Sequence, residues 1–132
     1  MTANGAAPGI GKSGQTRGQV YSADCPCRAL LDVVANKWAA LAISALAEET
    51  LRFGELQRRL QGISPKVLTA TLRRLEDFGL VDRMVIPAVP LHVEYSLTEA
   101  GRSAVRPMFM LRDWAESQYE LARARIDHNE AH

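Results

Sequence analysis

The sequence predicts a mainly α-helical fold that carries one small β-hairpin. Apolar residues recur at helical spacing up to Gly79 and again from Thr98, in segments bounded by Ser, Asn, Pro and Gly. Between these two residues the pattern is typical of strands. The resulting order is helix, helix, short strand, helix, tight turn, helix, hairpin and helix. This is the order of a winged helix-turn-helix, and we expect it to form a dimer.

The chain has 132 residues, which is enough for one domain with a modest core. Residues 1–22 contain few large apolar side chains, so we expect a flexible N-terminal tail. The Gly-Lys-Ser of residues 11–13 resembles the end of a phosphate-binding loop, but Ala6 stands where that loop needs glycine, and no nucleotide site is predicted. The predicted domain covers residues 23–127, and residues 128–132 form a C-terminal tail.

Two helices are predicted before residue 50. Asp24 or Cys25 can cap the first helix, Pro26 suits its first turn, and we expect it to end at Asn36. The second helix follows directly, and a short extended piece at residues 51–53 comes after it. The second helix is expected to bury a single stripe, formed by Trp38, Leu41, Ala42, Ala45 and Leu46.

A tight turn separates the next two helices. The first is predicted at residues 53–60 and the second from Pro65 to Phe78. Gly62 can adopt a positive φ in the turn, and Ser64 is a strong N-cap for the second helix. The apolar anchors of the pair are Leu56, Leu60, Leu68, Leu72 and Leu75, and Gly79 ends the second helix.

The hairpin strands are predicted at residues 80–86 and 92–97, joined by a proline-rich loop. Thr98 can cap the last helix, Gly101 offers a close packing point, and Pro107 is expected to bend that helix. Its apolar side chains exceed what one small domain can cover, so we expect them in a dimer interface. They are Met108, Phe109, Leu111, Trp114 and Tyr119.

The net charge is +1, but charge is distributed unevenly. From Arg52 to Arg74 there are six basic residues and one acidic residue, a net of +5, whereas residues 107–132 have a net of −2. We therefore expect the basic segment to meet double-stranded DNA, with ordinary solvated helix faces as the alternative. Arg73 can reach a guanine, and Ser64, Lys66 and Thr69 can donate to phosphates or base edges. The predicted DNA-binding residues are Ser64, Lys66, Thr69, Ala70, Arg73, Arg74, Arg52, Arg58 and His92.

The motifs at residues 62–69 (Gly-Ile-Ser-Pro-Lys-Val-Leu-Thr) and 93–98 (Val-Glu-Tyr-Ser-Leu-Thr), with Cys25-Pro26 and Lys37-Trp38, are specific in combination. With them the chain resembles the HxlR-type family of bacterial winged helix regulators. The resemblance implies a homodimer formed mainly through the first and last helices. It also implies that Cys25, before proline, can sense oxidants or electrophiles, as in some members. The predicted interface residues are Leu30, Leu31, Val34, Phe109, Leu111, Trp114 and Tyr119.

Two cysteines, Cys25 and Cys27, flank Pro26. A helix N-terminus lowers the pKa of a thiol, and Arg28 would add to this effect while Asp24 would oppose it, so the sign of the net shift stays open. Redox or electrophile sensing, packing and metal binding all remain open for Cys25, and Cys27 is the weaker redox candidate. We expect a disulfide within Cys-Pro-Cys to be strained and a bridge between subunits to be easier.

Other function classes find less support in the sequence. The chain lacks a βαβ pattern and clustered acidic and histidine residues, so we predict no enzyme activity, no cofactor and no metal site. No apolar run is long enough for a membrane span and no secretion signal is evident, which predicts a cytoplasmic protein. The alternatives are a regulator of the same fold that answers a small effector without redox chemistry, or a winged helix that binds proteins.

Overall fold

A computed structural model describes residues 17–131, so the Gly-Lys-Ser segment and most of the predicted N-terminal tail lie outside the described residues. The chain divides into two compact units, Met1–Val33 and Val34–His132. In chain order the elements are α1 (Pro26–Val34), α2 (Lys37–Glu48), β1 (Leu51–Arg52), α3 (Phe53–Arg59), α4 (Pro65–Asp77), β2 (Val81–Ile86), β3 (His92–Leu97), α5 (Glu99–Ser103), α6 (Val105–Ser117) and α7 (Tyr119–Ala131).

Asn36 begins α2, and the prediction that it ends the first helix is wrong. Its side-chain oxygen accepts hydrogen bonds from the backbone N–H groups of Trp38 at 2.9 Å and Ala39 at 3.2 Å. These N–H groups have no partner within the helix, and an Asn side chain is well suited to satisfy them. The first helix accordingly ends earlier, at Val34.

Helix α2 is the centre of the second unit. It contacts α3, α4, α5, α6 and β3. Six consecutive or near-consecutive residues are buried, namely Ala39, Ala42, Ile43, Ser44, Ala45 and Leu46. The predicted single stripe is therefore too narrow: Trp38 and Leu41 are only half-buried, while Ala39 and Ile43 are almost fully enclosed. A helix surrounded by neighbours buries most of its circumference, which a stripe pattern does not reveal.

Helices α3 and α4 form the predicted helix-turn-helix. Leu56 and Leu60 anchor the first helix, and Gly62 in the turn adopts the expected positive φ of 94°. Ser64 caps α4 by accepting a hydrogen bond from the Val67 N–H at 3.1 Å. The buried leucines of α4 are those predicted, Leu68, Leu72 and Leu75.

Gly79 ends α4 as predicted, with a positive φ of 75°. Its N–H donates to the Glu76 carbonyl at 2.9 Å, and the N–H of Leu80 donates to the Leu75 carbonyl at 2.9 Å. This pair of hydrogen bonds is the usual way a left-handed residue closes a helix, and glycine adopts that conformation without a Cβ penalty.

The hairpin is part of a three-stranded antiparallel sheet in the order β1-β3-β2. Val81 pairs with Leu97 and Ile86 with His92, which confirms the predicted hairpin. The extended piece before α3 becomes the third strand, because Leu51 pairs with Tyr95. The hairpin of β2 and β3, which is called the wing below, is thus attached to the start of the helix-turn-helix through β1.

The chain enters its C-terminal helices through a tight contact at Gly101, as predicted. A Cβ added there would overlap the carbonyl oxygen of Leu80. Thr98 caps α5 by accepting from the Gly101 N–H at 3.0 Å, and its hydroxyl donates to the Gly79 carbonyl at 2.6 Å. In addition the Thr98 N–H donates to the Leu80 carbonyl at 3.1 Å.

The predicted last helix is three helices rather than one bent at Pro107. The breaks fall at Ala104 and Gln118. Pro107 lies in the first turn of α6, where its missing N–H leaves no hydrogen bond unmade. Helix α7 continues through Ala131, four residues beyond the predicted domain end at 127.

Candidate nucleic-acid interface and cysteine pair

Helix α4 presents a polar face opposite its three buried leucines. Lys66, Thr69, Ala70 and Arg73 are all exposed on that face, as is Ser64 at the helix start. The leucines fix the helix rotation, and this rotation directs the polar side chains outward. The geometry is that of a helix whose outer surface is free to enter the major groove of DNA.

Arg83 on β2 joins this face and was missed from the sequence. Together with Thr69, Arg73 and Glu76 it lines a cavity of about 370 Å³ between α4 and the sheet. Arg83 lies opposite Tyr95 in the hairpin register. Arg83 is the basic residue of the first hairpin strand, so the sequence does identify it as a candidate. That it lies near Arg73 depends on how the hairpin packs against α4, which the sequence pattern does not give.

The flanking basic residues are placed differently from one another. Arg52, Arg58 and Arg74 are exposed. The backbone N–H of Arg52 donates to the Glu55 carboxylate at 2.8 Å. Arg59 forms ion pairs with two carboxylates at the end of α2, Glu48 at 3.0 Å and Glu49 at 3.3 Å. The charge of +5 counted along the segment therefore overstates the positive charge available to DNA.

His92 is engaged within the wing. Its Nε2 lies 3.1 Å from a Glu94 carboxylate oxygen and its Nδ1 lies 3.3 Å from the Pro90 carbonyl oxygen. Its side chain is only 17% exposed. This placement pairs the imidazole with the Glu94 carboxylate. The carboxylate would compete with a DNA phosphate for the imidazole.

Most residues of the predicted dimer interface are exposed. These are Leu30, Leu31, Leu111, Trp114 and Tyr119, each between 40% and 63% exposed. Val34 and Phe109 are half-buried. The expectation that Met108 is exposed is wrong, because it is 9% exposed and belongs to the core. Exposed Met110 and Leu121 extend the apolar surface of α6 and α7.

The two cysteines lie together at the start of α1. Their Sγ atoms are 2.7 Å apart, and both are free thiols. The Gln19 N–H donates to the Cys25 Sγ at 3.3 Å. Gly18 lies so close that an added Cβ would overlap the Cys27 side chain. Residues 18–19, just before α1, thus pack against the two thiols through the Gln19 backbone and through Gly18, which has no side chain.

The neighbours of the pair separate the two thiols chemically. The pKa of Cys25 is lowered, first by the hydrogen bond from the Cys27 side chain and then by the Gln19 N–H. The pKa of Cys27 is raised, chiefly because its proton is held by Cys25. Arg28 also lowers the pKa of Cys25, but through its backbone N–H, because its guanidinium donates to the Tyr21 carbonyl oxygen at 3.5 Å. Cys25 is therefore the more acidic thiol of the pair.

Within residues 17–131, no group of three or more His, Cys, Asp and Glu side chains is placed to hold a metal ion. In the same part of the chain, no single helix is long and apolar enough to cross a membrane.

The chain is similar to known helix-turn-helix proteins over most of its length. Residues 33–123 match the family model described as HxlR-like helix-turn-helix. The uncharacterized HTH-type transcriptional regulator YtfH of Escherichia coli K12 is 40% identical over 99 residues, which cover 75% of this chain and 79% of YtfH.

Solved structures agree. The transcriptional regulator ytfH from Salmonella typhimurium superposes with a TM-score of 0.76 at 36% identity, covering 84% of this chain and 99% of that one. The redox regulator HypR in its reduced form gives a TM-score of 0.66 at 35% identity, covering 75% of this chain and 98% of that one. The chain therefore belongs to the HxlR-like helix-turn-helix family and is a DNA-binding transcriptional regulator.

Proposed function

We propose that the chain binds an inverted-repeat operator as a homodimer, in the cytoplasm where the bacterial chromosome lies. The observation that carries this proposal is α4, which three buried leucines hold with Lys66, Thr69 and Arg73 exposed on the outer face. The N-terminus of α4, capped by Ser64, would meet a phosphate. Arg73 would reach a base edge, and Arg83 on the wing would contact the backbone of the adjacent groove.

The test is DNA binding at two salt concentrations, with an operator selected from random sequence. We expect Arg73→Ala to cost about 1–3 kcal/mol in specific binding and to relax the preference at one base. Lys66→Ala should weaken binding to all sequences and reduce the salt slope by about one unit.

Arg125→Ala is the matched control, because Arg125 is exposed on α7, away from α4 in sequence and element. Equal operator affinity for the parent, Arg73→Ala and Lys66→Ala would show that α4 does not read DNA. Loss in all three variants alike would indicate a nonspecific charge effect.

We further propose that oxidation of Cys25 controls this binding. The support is the pair of sulfur atoms 2.7 Å apart, in which the pKa of Cys25 is lowered and that of Cys27 is raised. The Cys25 thiolate would attack an oxygen of a hydroperoxide, forming a sulfenic acid while the other oxygen leaves as an alcohol or water after protonation. The Cys27 sulfur, 2.7 Å away, would then attack the sulfenic sulfur, releasing water and forming a disulfide within the chain instead of the bridge between subunits expected from the sequence. A similar protein, HypR, is named as a redox regulator.

The redox proposal is tested by operator affinity before and after hydroperoxide, with reductant added back. The parent should lose and regain affinity, and Cys25→Ser should be unaffected. Cys27→Ser should stop at the sulfenic acid or form a bridge between subunits. Mass spectrometry of the oxidised parent without reductant should give a monomer two mass units lighter. Parent and Cys25→Ser losing affinity equally would reject Cys25 as the sensor.

A further inference from the structure

The cysteine pair has the form of a chelating site for a thiophilic atom. Cys25 and Cys27 are the two cysteines of the chain, and their Sγ atoms lie 2.7 Å apart at the start of α1. Both thiols are free and partly exposed, so a small molecule can reach them. Thiolate sulfur is a soft ligand that prefers soft partners, and two linked thiols bind one atom far more tightly than a single thiol does.

Gly18 leaves space beside the two sulfurs. The position that a Cβ of residue 18 would occupy lies 2.5 Å from the Cys27 Sγ and 3.1 Å from the Cys25 Sγ. Because residue 18 is glycine, its side chain does not fill this point close to both sulfurs. The Gln19 N–H, which donates to the Cys25 Sγ at 3.3 Å, holds the segment against the pair. A metal–sulfur bond is about 2.3 Å long, so an atom near this point is within reach of both sulfurs.

The short distance between the sulfurs favours one kind of atom. A two-coordinate ion such as Cu(I) prefers a linear arrangement, which would place the sulfurs about 4.6 Å apart, twice a metal–sulfur bond. Structural zinc needs four ligands, and within residues 17–131 no group of three His, Cys, Asp and Glu side chains could supply them. A pyramidal atom with bonds near a right angle would place the sulfurs about 3.3 Å apart. This is the nearest of these arrangements to the observed 2.7 Å, and it is the geometry of trivalent arsenic.

We propose that Cys25 and Cys27 together bind trivalent arsenic, beside Gly18, from a compound that carries two exchangeable hydroxyl groups on the arsenic. Each thiol sulfur displaces one hydroxyl group. Two As–O bonds break, two As–S bonds form, and the two thiol protons leave with the hydroxyl groups as two molecules of water. The arsenic stays trivalent and neither sulfur is oxidised, so the reaction needs no oxidant.

This site uses the same thiols as the redox control proposed above but does not rest on it. A disulfide and an arsenic complex each require both sulfurs, so the two states exclude one another. The bound arsenical should therefore protect Cys25 from oxidation by hydroperoxide, and the oxidised chain should bind no arsenical until it is reduced.

The experiment is the binding of phenylarsine oxide, which hydrates to the dihydroxy compound in water, to the reduced full chain without DNA or oxidant. Isothermal titration calorimetry gives the affinity, and mass spectrometry of the denatured complex gives the stoichiometry. We expect one arsenic per chain, on a monomer that gains one phenylarsenic group and loses two hydrogens. Cys25→Ser and Cys27→Ser should each bind about 10²- to 10⁴-fold more weakly, because the second linked thiol is lost.

Gly18→Ala separates the geometry of the site from the mere presence of two thiols. Its Cβ would occupy the space beside both sulfurs, so binding should weaken severalfold while iodoacetamide still alkylates both cysteines. Gly54→Ala, in α3, is the matched control and should bind as the parent does. Thermal melting confirms that each variant is folded. Ethane-1,2-dithiol should release the arsenic, whereas 2-mercaptoethanol at the same thiol concentration should not.

Parent-like affinity of either serine variant overturns the proposal, and so does parent-like affinity of Gly18→Ala. One arsenic shared between two chains would also overturn it, because the two sulfurs would then belong to different subunits. Since neither DNA nor oxidant is present, none of these outcomes depends on operator binding or on hydroperoxide sensing. Conversely, a chain that binds the arsenical but keeps its operator affinity after hydroperoxide would reject the redox control alone.

Discussion

The pKa of Cys25 is lowered by hydrogen bonds from its immediate neighbours rather than by a cation. The Cys27 side chain and the Gln19 N–H point at its sulfur, while the nearest expected cation, Arg28, donates elsewhere. The position before Pro26 places the thiol at a helix start, but the sequence did not show that residues 18–19 fold back over it. Such a contact depends on the path of a segment without regular structure, which residue types do not determine.

The thiol pair leads to a prediction about pH. Because the pKa of Cys25 is lowered, its thiolate persists to lower pH than that of an ordinary cysteine, and alkylation at neutral pH should be fast. Cys27→Ala removes the main hydrogen bond, so the pKa of Cys25 should rise and its alkylation by iodoacetamide should slow at neutral pH.

The difference in the alkylation rate of Cys25 between the parent and Cys27→Ala should vanish at a pH where Cys25 is fully ionised in both proteins. Peptide mapping by mass spectrometry follows each site, and Cys25→Ala reports on Cys27 alone. Identical pH profiles for Cys25 in the parent and in Cys27→Ala would show that the pair is not coupled.

At the scale of elements, the sequence was most informative where local chemistry decides the outcome. Ser64, Gly62 and Gly79 mark the turn and both ends of α4 because caps and positive φ values are local properties. Asn36 was misassigned because asparagine serves either end of a helix. Pro107 was misassigned because proline is tolerated in a first turn as well as at a kink.

The tertiary parts of the site escaped prediction for a different reason. The pairing of Arg59 with Glu48 and Glu49, and the approach of Arg83 to Arg73, join residues from different elements. Periodicity gives the face of each helix but not which faces meet.

Gly101 allows a test at this scale. Gly101→Ala would push a Cβ into the Leu80 carbonyl oxygen, a backbone atom that cannot rotate away. We expect a loss of about 1–3 kcal/mol in the free energy of unfolding, measured by urea denaturation. Gly54→Ala is the control, because its Cβ would meet only the end of Arg58 at 3.7 Å.

Since Gly54 lies in α3, alanine there should be neutral or stabilising by up to about 1 kcal/mol. A Gly101→Ala variant as stable as the parent would mean that the helix start can move away from Leu80 at no cost.

At the scale of the whole molecule, α6 and α7 expose apolar residues beyond those needed for a core. Leu111, Trp114 and Tyr119 are more than half exposed. A two-fold dimer that covered them would set two α4 helices about 34 Å apart, one turn of DNA. The operator is then expected to be an inverted repeat.

Sedimentation velocity tests this arrangement. Trp114→Gln should shift the chain toward monomer and lower operator affinity, because one α4 then binds alone. Val89→Gln is the matched control, since Val89 is a fully exposed apolar residue in the loop between β2 and β3. A parent that is monomeric at micromolar concentration, with one molecule per operator, would rule the dimer out.

The hydrogen bonds of Thr98 connect α4 to the helices that follow the hairpin. One joins its hydroxyl to Gly79, the residue that ends α4, and another joins its N–H to Leu80. Gly101 also packs closely against Leu80, so the start of α5 has little room to move relative to the end of α4. We therefore expect a rotation of the C-terminal helices to reach α4 directly through these contacts, without passing through the turn of the hairpin. Amide hydrogens at residues 79, 80 and 98 should exchange with solvent together, as one mechanical unit.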